Sequence, residues 1–342
     1  MIKMQDYLQT NLKDSPEYKK QTLELIEKSF HYNKSNSFEI DFAPLLTRDN
    51  LKNCHILVDE EFQVVISHIG VLKKDLQINA THPIALIGGV CVHEDYRGTG
   101  LFSLFFNNVI NKYSEQVALF TLWSDQTKLY SKFGFNLCIE QLQFNKKENA
   151  ATGGYQKTLF KNLSLTHKNQ IKTLYIRDIQ KKNNTLKRTN KDWDTIEKID
   201  SSDLYIKLKS DVIVSYFFIN KGQDLTNTIH EIAGNYDIDE VTAYGDLWCS
   251  KNPNQNKAPD KTLYAALVKP AQFELFRKLV FDYSNNEIII TAIVGSEIQF
   301  NFKKSEYALE LKDFLVGLWG PFYFKEFSFE SRPLFISGLD SV

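Results

Sequence analysis

Residues 90–101 read Val-Cys-Val-His-Glu-Asp-Tyr-Arg-Gly-Thr-Gly-Leu: an apolar strand runs into a tight turn with two glycines, which opens directly into a helix. The first N–H groups of a helix have no intrahelical acceptor, and the helix dipole adds partial positive charge at that end. A pyrophosphate fits such a turn, because glycines let its oxygens come close to the backbone. Arg97 can add charge-assisted hydrogen bonds to the same oxygens. Taken alone, the turn is equally an ordinary strand–helix junction. A second segment bears on the choice. Leu129-Tyr130-Ser131-Lys132-Phe133-Gly134-Phe135 puts a tyrosine on a short helix that ends in Gly-Phe.

In order, spacing and flanking elements, the two segments resemble the GNAT N-acetyltransferase superfamily over residues 15–145. Val92 to Gly100 fits V-x-x-x-Y-R-G-x-G, the acyl-CoA loop, and Leu129 to Phe135 looks like the second motif. The resemblance implies a mixed α/β fold and acetyl-CoA as the acyl donor, with no metal. The acceptor it implies is an amine, on a small molecule or on a protein N-terminus or lysine. It implies that Val90, Cys91 and Val92 bind the pantetheine arm through their backbone. The amides of Arg97, Gly98, Thr99, Gly100, Leu101 and Phe102 would cradle the pyrophosphate, and Tyr130 would protonate the departing thiolate. The chain departs from the family pattern in three places: Glu94 replaces an expected Pro, Asp95 a common Gln or Arg, and Trp123 a frequent Asn.

The residue types suit that chemistry. An amine must lose a proton to attack a thioester, and the tetrahedral oxyanion needs backbone donors. Thiolate release is helped by an acid whose pKa lies above that of the thiol; a phenol near 10 against a thiol near 8.5 meets this. Tyr130 is otherwise a core tyrosine packing beside Phe133. The general base is less visible. His68, His93, Glu94 and Asp41 are candidates, each of which is equally a structural or surface residue. The ending of the chain supplies another. Pro333 to Val342 stays apolar almost to the last residue, whereas chain ends are usually frayed and polar. Either a final strand caps the second half, or the C-terminus reaches the first half and offers the Val342 carboxylate, as in some GNAT relatives. With an ordinary pKa of about 3.5, that carboxylate would need partial burial to act as a base.

Other motifs carry no chemistry. His230-Glu231-Ile232-Ala233-Gly234 begins like a zinc-protease helix but has Gly234 in place of the second histidine. Lys221-Gly222-Gln223-Asp224 has no following helix, and residues 237–240 lack the ligand spacing of a calcium loop. Lys181, Lys182, Lys187, Arg188 and Lys191 read as a solvated polar loop, since few aromatics interleave with them.

The elements that must position these residues can be traced. Ser15-Pro16-Glu17 starts a helix with a stripe at Tyr18, Leu25, Ile26 and Phe30. Strands are predicted at 54–58, 63–72, 83–92, 117–123 and 135–144, with a helix from Gly100 and another capped by Ser124 and ended by Gly134. Residues 145–154 read as a linker. Beyond it come a helix at 165–178, strands at 204–208, 212–219, 228–233 and 263–268, a helix at 273–281, a strand at 287–294 and an amphipathic helix at 305–318. The chain is thus predicted as a GNAT domain over 1–148 and a degenerate GNAT-like α/β domain with a C-terminal extension over 155–342. This order resembles the two-domain GNAT enzymes, the enhanced intracellular survival acetyltransferases among them. Those carry a sterol-carrier-like third domain, for which too few residues remain here.

Composition fits that division. The chain has 342 residues, enough for two ordinary cores, and 43% hydrophobic content supplies them. A net charge of −1 leaves no global field to recruit nucleic acid or an anionic membrane. No run approaches the roughly 20 apolar residues of a membrane span, and residues 1–6 lack the apolar core of a signal peptide. The four cysteines are widely spaced with no CxxC, so neither a disulfide framework nor a zinc site is expected and a cytoplasmic protein follows. The expected activity is acyl transfer from CoA to a primary amine, with oligomeric state left open. The alternative is a non-catalytic acyl-CoA-sensing or interaction protein of the same fold.

Overall fold

A computed structural model of the chain describes residues 6–33, 37–148, 153–250, 257–323 and 332–342. The first half runs β1 (Leu8–Asn11), α1 (Lys19–Ser29), α2 (Phe38–Asp41), β2 (Cys54–Asp59), β3 (Val64–Gln77), β4 (Thr81–Val92), α3 (Leu101–Ser114), β5 (Leu119–Leu122), α4 (Thr127–Ser131) and β6 (Asn136–Phe144). The second half continues with β7 (Gln156–Thr158), α5 (Leu165–Leu174), β8 (Asn184–Leu186), α6 (Asn190–Ile196), β9 (Asp203–Lys209), β10 (Val212–Ile219), β11 (Thr228–Gly234), α7 (Ile238–Thr242), β12 (Asp246–Cys249) and β13 (Lys261–Pro270). Last come α8 (Phe273–Tyr283), the hairpins of β14 (Ile288–Val294), β15 (Glu297–Phe302) and β16 (Ser305–Glu310), α9 (Leu311–Trp319) and the short β17 (Leu334–Phe335).

Among the described residues, fourteen strands form one mixed sheet in the order β1-β2-β3-β4-β5-β13-β6-β12-β11-β10-β9-β7, with β8 on β3 and β17 on β8. The fold class expected from the sequence, a mixed-sheet α/β protein, is the one observed. β13 comes from the second half of the chain but lies inside the first half's part of the sheet. It lies antiparallel between β5 and β6, with Leu267 opposite Leu122 and Ala266 opposite Cys138. The sheet around the glycine turn is therefore completed by a strand from beyond residue 155.

Alternation explains why β4 is apolar throughout. Ile84 and Leu86 face the core formed with α1, α8 and α9, whereas Ala85 and Ile87 face the core formed with α3. A strand covered on both sides has no polar face to present. The α3 face is built on Leu101, Phe105, Phe106, Val109, Ile110 and Tyr113, so the helical stripe read from Gly100 onward is the buried one.

Three expectations need correction. The helix predicted over 305–318 is a strand, β16, followed by α9. Lys303 and Lys304 both have positive φ, 48° and 68°, which closes a two-residue hairpin of the kind whose twist matches the strands it joins. That turn sets Tyr307 opposite Phe300, with ring centroids 5.4 Å apart. The helix over 165–178 holds its α geometry only to Leu174 and then widens into a π-helical turn, Tyr175–Gln180. Ser124 caps no helix: its Oγ accepts from Gln126 N at 3.0 Å, two residues ahead of the N-cap position held by Gln126. Of the predicted linker, residues 149–152 lie outside the described residues, and its start is tied to the second half. Asn145 N donates to Asp260, Lys146 N to Asp246 and Lys147 N to the Thr242 carbonyl.

Candidate active site

β4 and β5 pair in parallel from Ile84–Leu119 to Ile87–Leu122 and no further. Beyond that point β4 continues alone on this side as Gly88 to Val92, and Trp123 leaves β5. The other edge of β4 stays paired with β3, but the register slips between His68 and Gly70. The slip is a bulge at Gly89, whose φ is +60°. His68 lies against it, with Nδ1 donating to the Gly89 carbonyl at 2.7 Å and Nε2 buried without a partner. Burial pushes the His68 pKa down to about 4, against the smaller upward pull of that bond.

After Val92 the chain makes a short 3₁₀ turn, Glu94–Tyr96, with the His93 ring accepting from Asp95 N at 3.4 Å. Tyr96 is anchored through its hydroxyl to Asp59 at 2.9 Å, and its carbonyl accepts from Thr99 Oγ1 at 2.7 Å. Arg97 is exposed and gives Nε to the Val92 carbonyl at 3.3 Å. Gly98 and Gly100 have φ of +75° and +88°, and a β-carbon on either would meet no atom within 4 Å. Leu101 N donates to Thr99 Oγ1 at 3.4 Å, and Leu104 N is the first α3 amide to reach a backbone carbonyl of the turn, that of Gly100. Among the described hydrogen bonds, the amides of Gly98, Thr99, Gly100 and Phe102 donate to no protein acceptor. The side chains of Leu101 and Phe102 turn inward, the latter against Phe106 and Phe133. The turn therefore presents an open, glycine-lined row of donors at a helix N-terminus.

Tyr130 stands on α4, its ring 5.7 Å from Phe106 and 6.1 Å from Phe135. Burial, followed by the nearby Cys91 thiol and Asp125, pushes its pKa up to about 12. Cys91 is itself pushed up to about 12 by burial, so it is a protonated thiol. All four cysteines are buried and none forms a disulfide.

The C-terminus lies on the opposite side of β4. A β-carbon built on Gly88 would fall 2.1 Å from the carboxyl carbon of Val342 and 2.4 Å from its oxygen. The terminal carboxyl group thus rests directly on the strand that feeds the glycine turn, and Val342 is 8% exposed. Tyr130 belongs to the core on the α3 face and Val342 to the core on the α1 face, with β4 running between them. Before reaching Gly88, the tail pairs as β17 with β8, so it both caps the second half and reaches the first.

The other candidates for a base lie in different surroundings. Glu94 is exposed and paired with Lys28 at 2.8 Å. Asp41 is buried, and that burial raises its pKa; its Oδ2 would lie 2.6 Å from a β-carbon on Gly222. His230-Glu231 lies on β11, and Lys221 is fully buried beneath the tail. Arg188 corrects the reading of its segment as a solvated loop: its side chain is 1% exposed and ion-paired to Glu231 and Asp340. Charge periodicity could not show this, because both partners lie far along the chain. Gly88 was also missed, although paired glycines inside an apolar strand signal a close backbone approach. No group of residues among those described could hold a metal. Nor is any described helix long and apolar enough to cross a membrane.

A family model described as an acetyltransferase (GNAT) domain matches residues 14–138. No curated protein matches the chain. Among solved structures, the chain is similar to a GCN5-related N-acetyltransferase from Anabaena variabilis at 14% identity and TM-score 0.59, covering 98% of this chain and 100% of that one. It is similar to Eis1 from Mycobacterium abscessus at 10% identity and TM-score 0.60, covering 97% and 99%. Saccharomyces cerevisiae N-myristoyltransferase with bound myristoyl-CoA is similar at 11% identity and TM-score 0.51, covering 79% and 85%. At these identities the likeness is one of fold. Residues 14–138 form a domain of the GNAT superfamily.

Proposed function

We propose that this GNAT-superfamily protein is an N-acyltransferase that moves an acetyl group from acetyl-CoA to a primary amine. The observation that carries the reading is the glycine turn at the start of α3, with free amides, two positive-φ glycines and open space above them. Pyrophosphate oxygens would accept from the amides of Gly98, Thr99, Gly100 and Phe102, with the Arg97 side chain adding charge; the Arg97 and Leu101 amides are already given to the Glu94 carbonyl and Thr99 Oγ1. The unpaired edge of β4 at Val90, Cys91 and Val92 would hydrogen-bond the pantetheine amides, as the end of pairing with β5 at Ile87 allows. That a structural neighbour holds an acyl-CoA supports the same ligand class here.

In the reaction, the amine nitrogen attacks the thioester carbonyl and loses a proton, and the carbon–sulfur bond breaks. In this reading the Val342 carboxylate takes the proton from one side of β4. Tyr130 gives its phenolic proton to the thiolate from the other. With its pKa near 12, Tyr130 stays protonated across the physiological range and is available as an acid. The oxyanion would be met by backbone donors at the β4 bulge around Gly89.

Release of free thiol from acetyl-CoA against a panel of primary amines tests the activity. Tyr130→Phe is expected to lower kcat roughly 10²-fold with acetyl-CoA affinity retained. CoA binding with no turnover on any amine would instead support an acyl-CoA-sensing protein. Appending a few glycines after Val342 moves the carboxylate off Gly88 and is expected to abolish most turnover. Full activity of that extended protein would assign the base to another group.

A further inference from the structure

The last residues of the chain are held by a set of buried charges, all from the second half. Arg188 donates to both carboxylate oxygens of Asp340, from Nε at 3.0 Å and from Nη2 at 2.9 Å. It also donates to both oxygens of Glu231, at 3.2 and 2.5 Å. Its guanidinium carbon sits 4.1 Å from the Tyr175 ring centroid and 4.7 Å from that of Trp193. Glu231 accepts in addition from Tyr216 at 3.0 Å and from Ser337 Oγ at 2.5 Å. Lys221 donates from Nζ to the backbone carbonyls of Gly338 at 2.6 Å and Ser341 at 2.8 Å. The ammonium also lies 4.5 Å from the ring of Phe42, beside α2 of the first half. Gly338 has no room for a side chain: a β-carbon there would lie 2.6 Å from the His230 ring.

Buried ion clusters contribute little net stability, because desolvation offsets their attraction; what they supply best is one defined register. A free chain end would otherwise fray. Here the register delivered is that of Val342, two residues past Asp340 and one past Ser341. We propose that Arg188, Glu231, Asp340 and Lys221 form a latch that seats the terminal carboxylate on Gly88. The second half of the chain is then a positioning element for the chemistry of the first. In its catalytic meaning the latch rests on the reading of Val342 as the base; as a seat for the terminus it does not.

Two variants of the full chain, Lys221→Met and Asp340→Asn, test both aspects. The second keeps the side-chain shape should the first fold poorly. Treatment of the native protein with a carboxypeptidase reports the seat without any reference to activity. Val342 of the unaltered protein is expected to be released slowly, and at least about tenfold faster in the variants at equal helix content by circular dichroism. Acetyl-CoA affinity is expected to stay unchanged while kcat falls roughly tenfold or more, and the acid limb of the kcat–pH profile is expected to move. A role confined to folding stability would leave that limb in place. Folded variants in which Val342 stays protected would overturn the latch. Rapid release of Val342 with unchanged kcat and pH profile would instead overturn Val342 as the base, and with it the positioning role.

Discussion

Gly88 and Gly98 are glycines for different reasons, so substitutions at the two should disturb different events. Gly88 has ordinary backbone angles, and only the Val342 carboxyl group occupies the place of its β-carbon. Gly88→Ala is therefore expected to displace the terminus, lowering kcat roughly tenfold or more with CoA affinity unchanged by calorimetry. A fall in CoA affinity of the same size would mean that the terminus shapes the cofactor site and not the chemistry. Gly98 has open space beside it but a φ of +75°. Gly98→Val would cost about 1–2 kcal/mol in left-handed strain and set a side chain over the free amides. Its expected signature is reversed: weaker CoA binding, with kcat at saturation recovered. The two glycines thus separate binding from turnover.

At the scale of elements, β6 decides how far the halves are independent. Its two neighbours in the sheet are β13 and β12, both from beyond residue 155. A fragment of residues 1–148 would leave β6 with both edges unpaired and β5 without its partner Leu267–Pro270. Unpaired buried backbone is costly, and exposed apolar edges aggregate. Expressed alone, 1–148 is expected to lack a cooperative thermal transition, and co-expression with 153–342 to restore one. A cooperative melt of the isolated fragment would show that the inserted strand is dispensable. Composition marks 145–154 as a linker, but it gives no sign of the strand from beyond it that crosses back into the first half. Leu263, Leu267 and Val268 announce a strand, but nothing in their pattern says which strand they join.

For the whole molecule, burial of neutral histidines sets the response to acid. Burial pushes His55 down to about 3, His68 to about 4 and His230 to about 3, against about 6.5 in an unfolded chain. Between those values the unfolded chain binds more protons than the folded one. Stability is therefore full above about pH 6.5 and falls as the pH drops toward 4, by about 1.4 kcal/mol per pH unit for each proton. Lys221, pushed by burial down to about 7, has the same sign in a higher window, so its contribution rises with pH between 7 and 10.5. Asp41 and Asp224, both raised by burial, act in the opposite direction and gain stability on acidification. The three rings are expected to dominate near pH 5, giving a melting temperature that drops steadily from pH 6.5 to 4.5. A flat profile over that range would mean that the rings are not buried in their neutral form.

The sequence by itself determined the local elements around the glycine turn. A tight turn, a helix N-terminus and a short helix ended by Gly134 each depend on residues within a few positions of one another. Dihedral preference and periodicity act at that range. The tertiary structure alone decided what comes to the turn from afar: β13 between β5 and β6, Arg188 between Glu231 and Asp340, and Val342 on Gly88. These contacts join residues from 43 to 254 positions apart. They depend on burial and on complementary charge, and a side chain carries no local mark of the partner it will meet once water is excluded. The apolar ending hinted that the terminus was tied down. Only the folded chain showed that it rests on the strand leading into the turn.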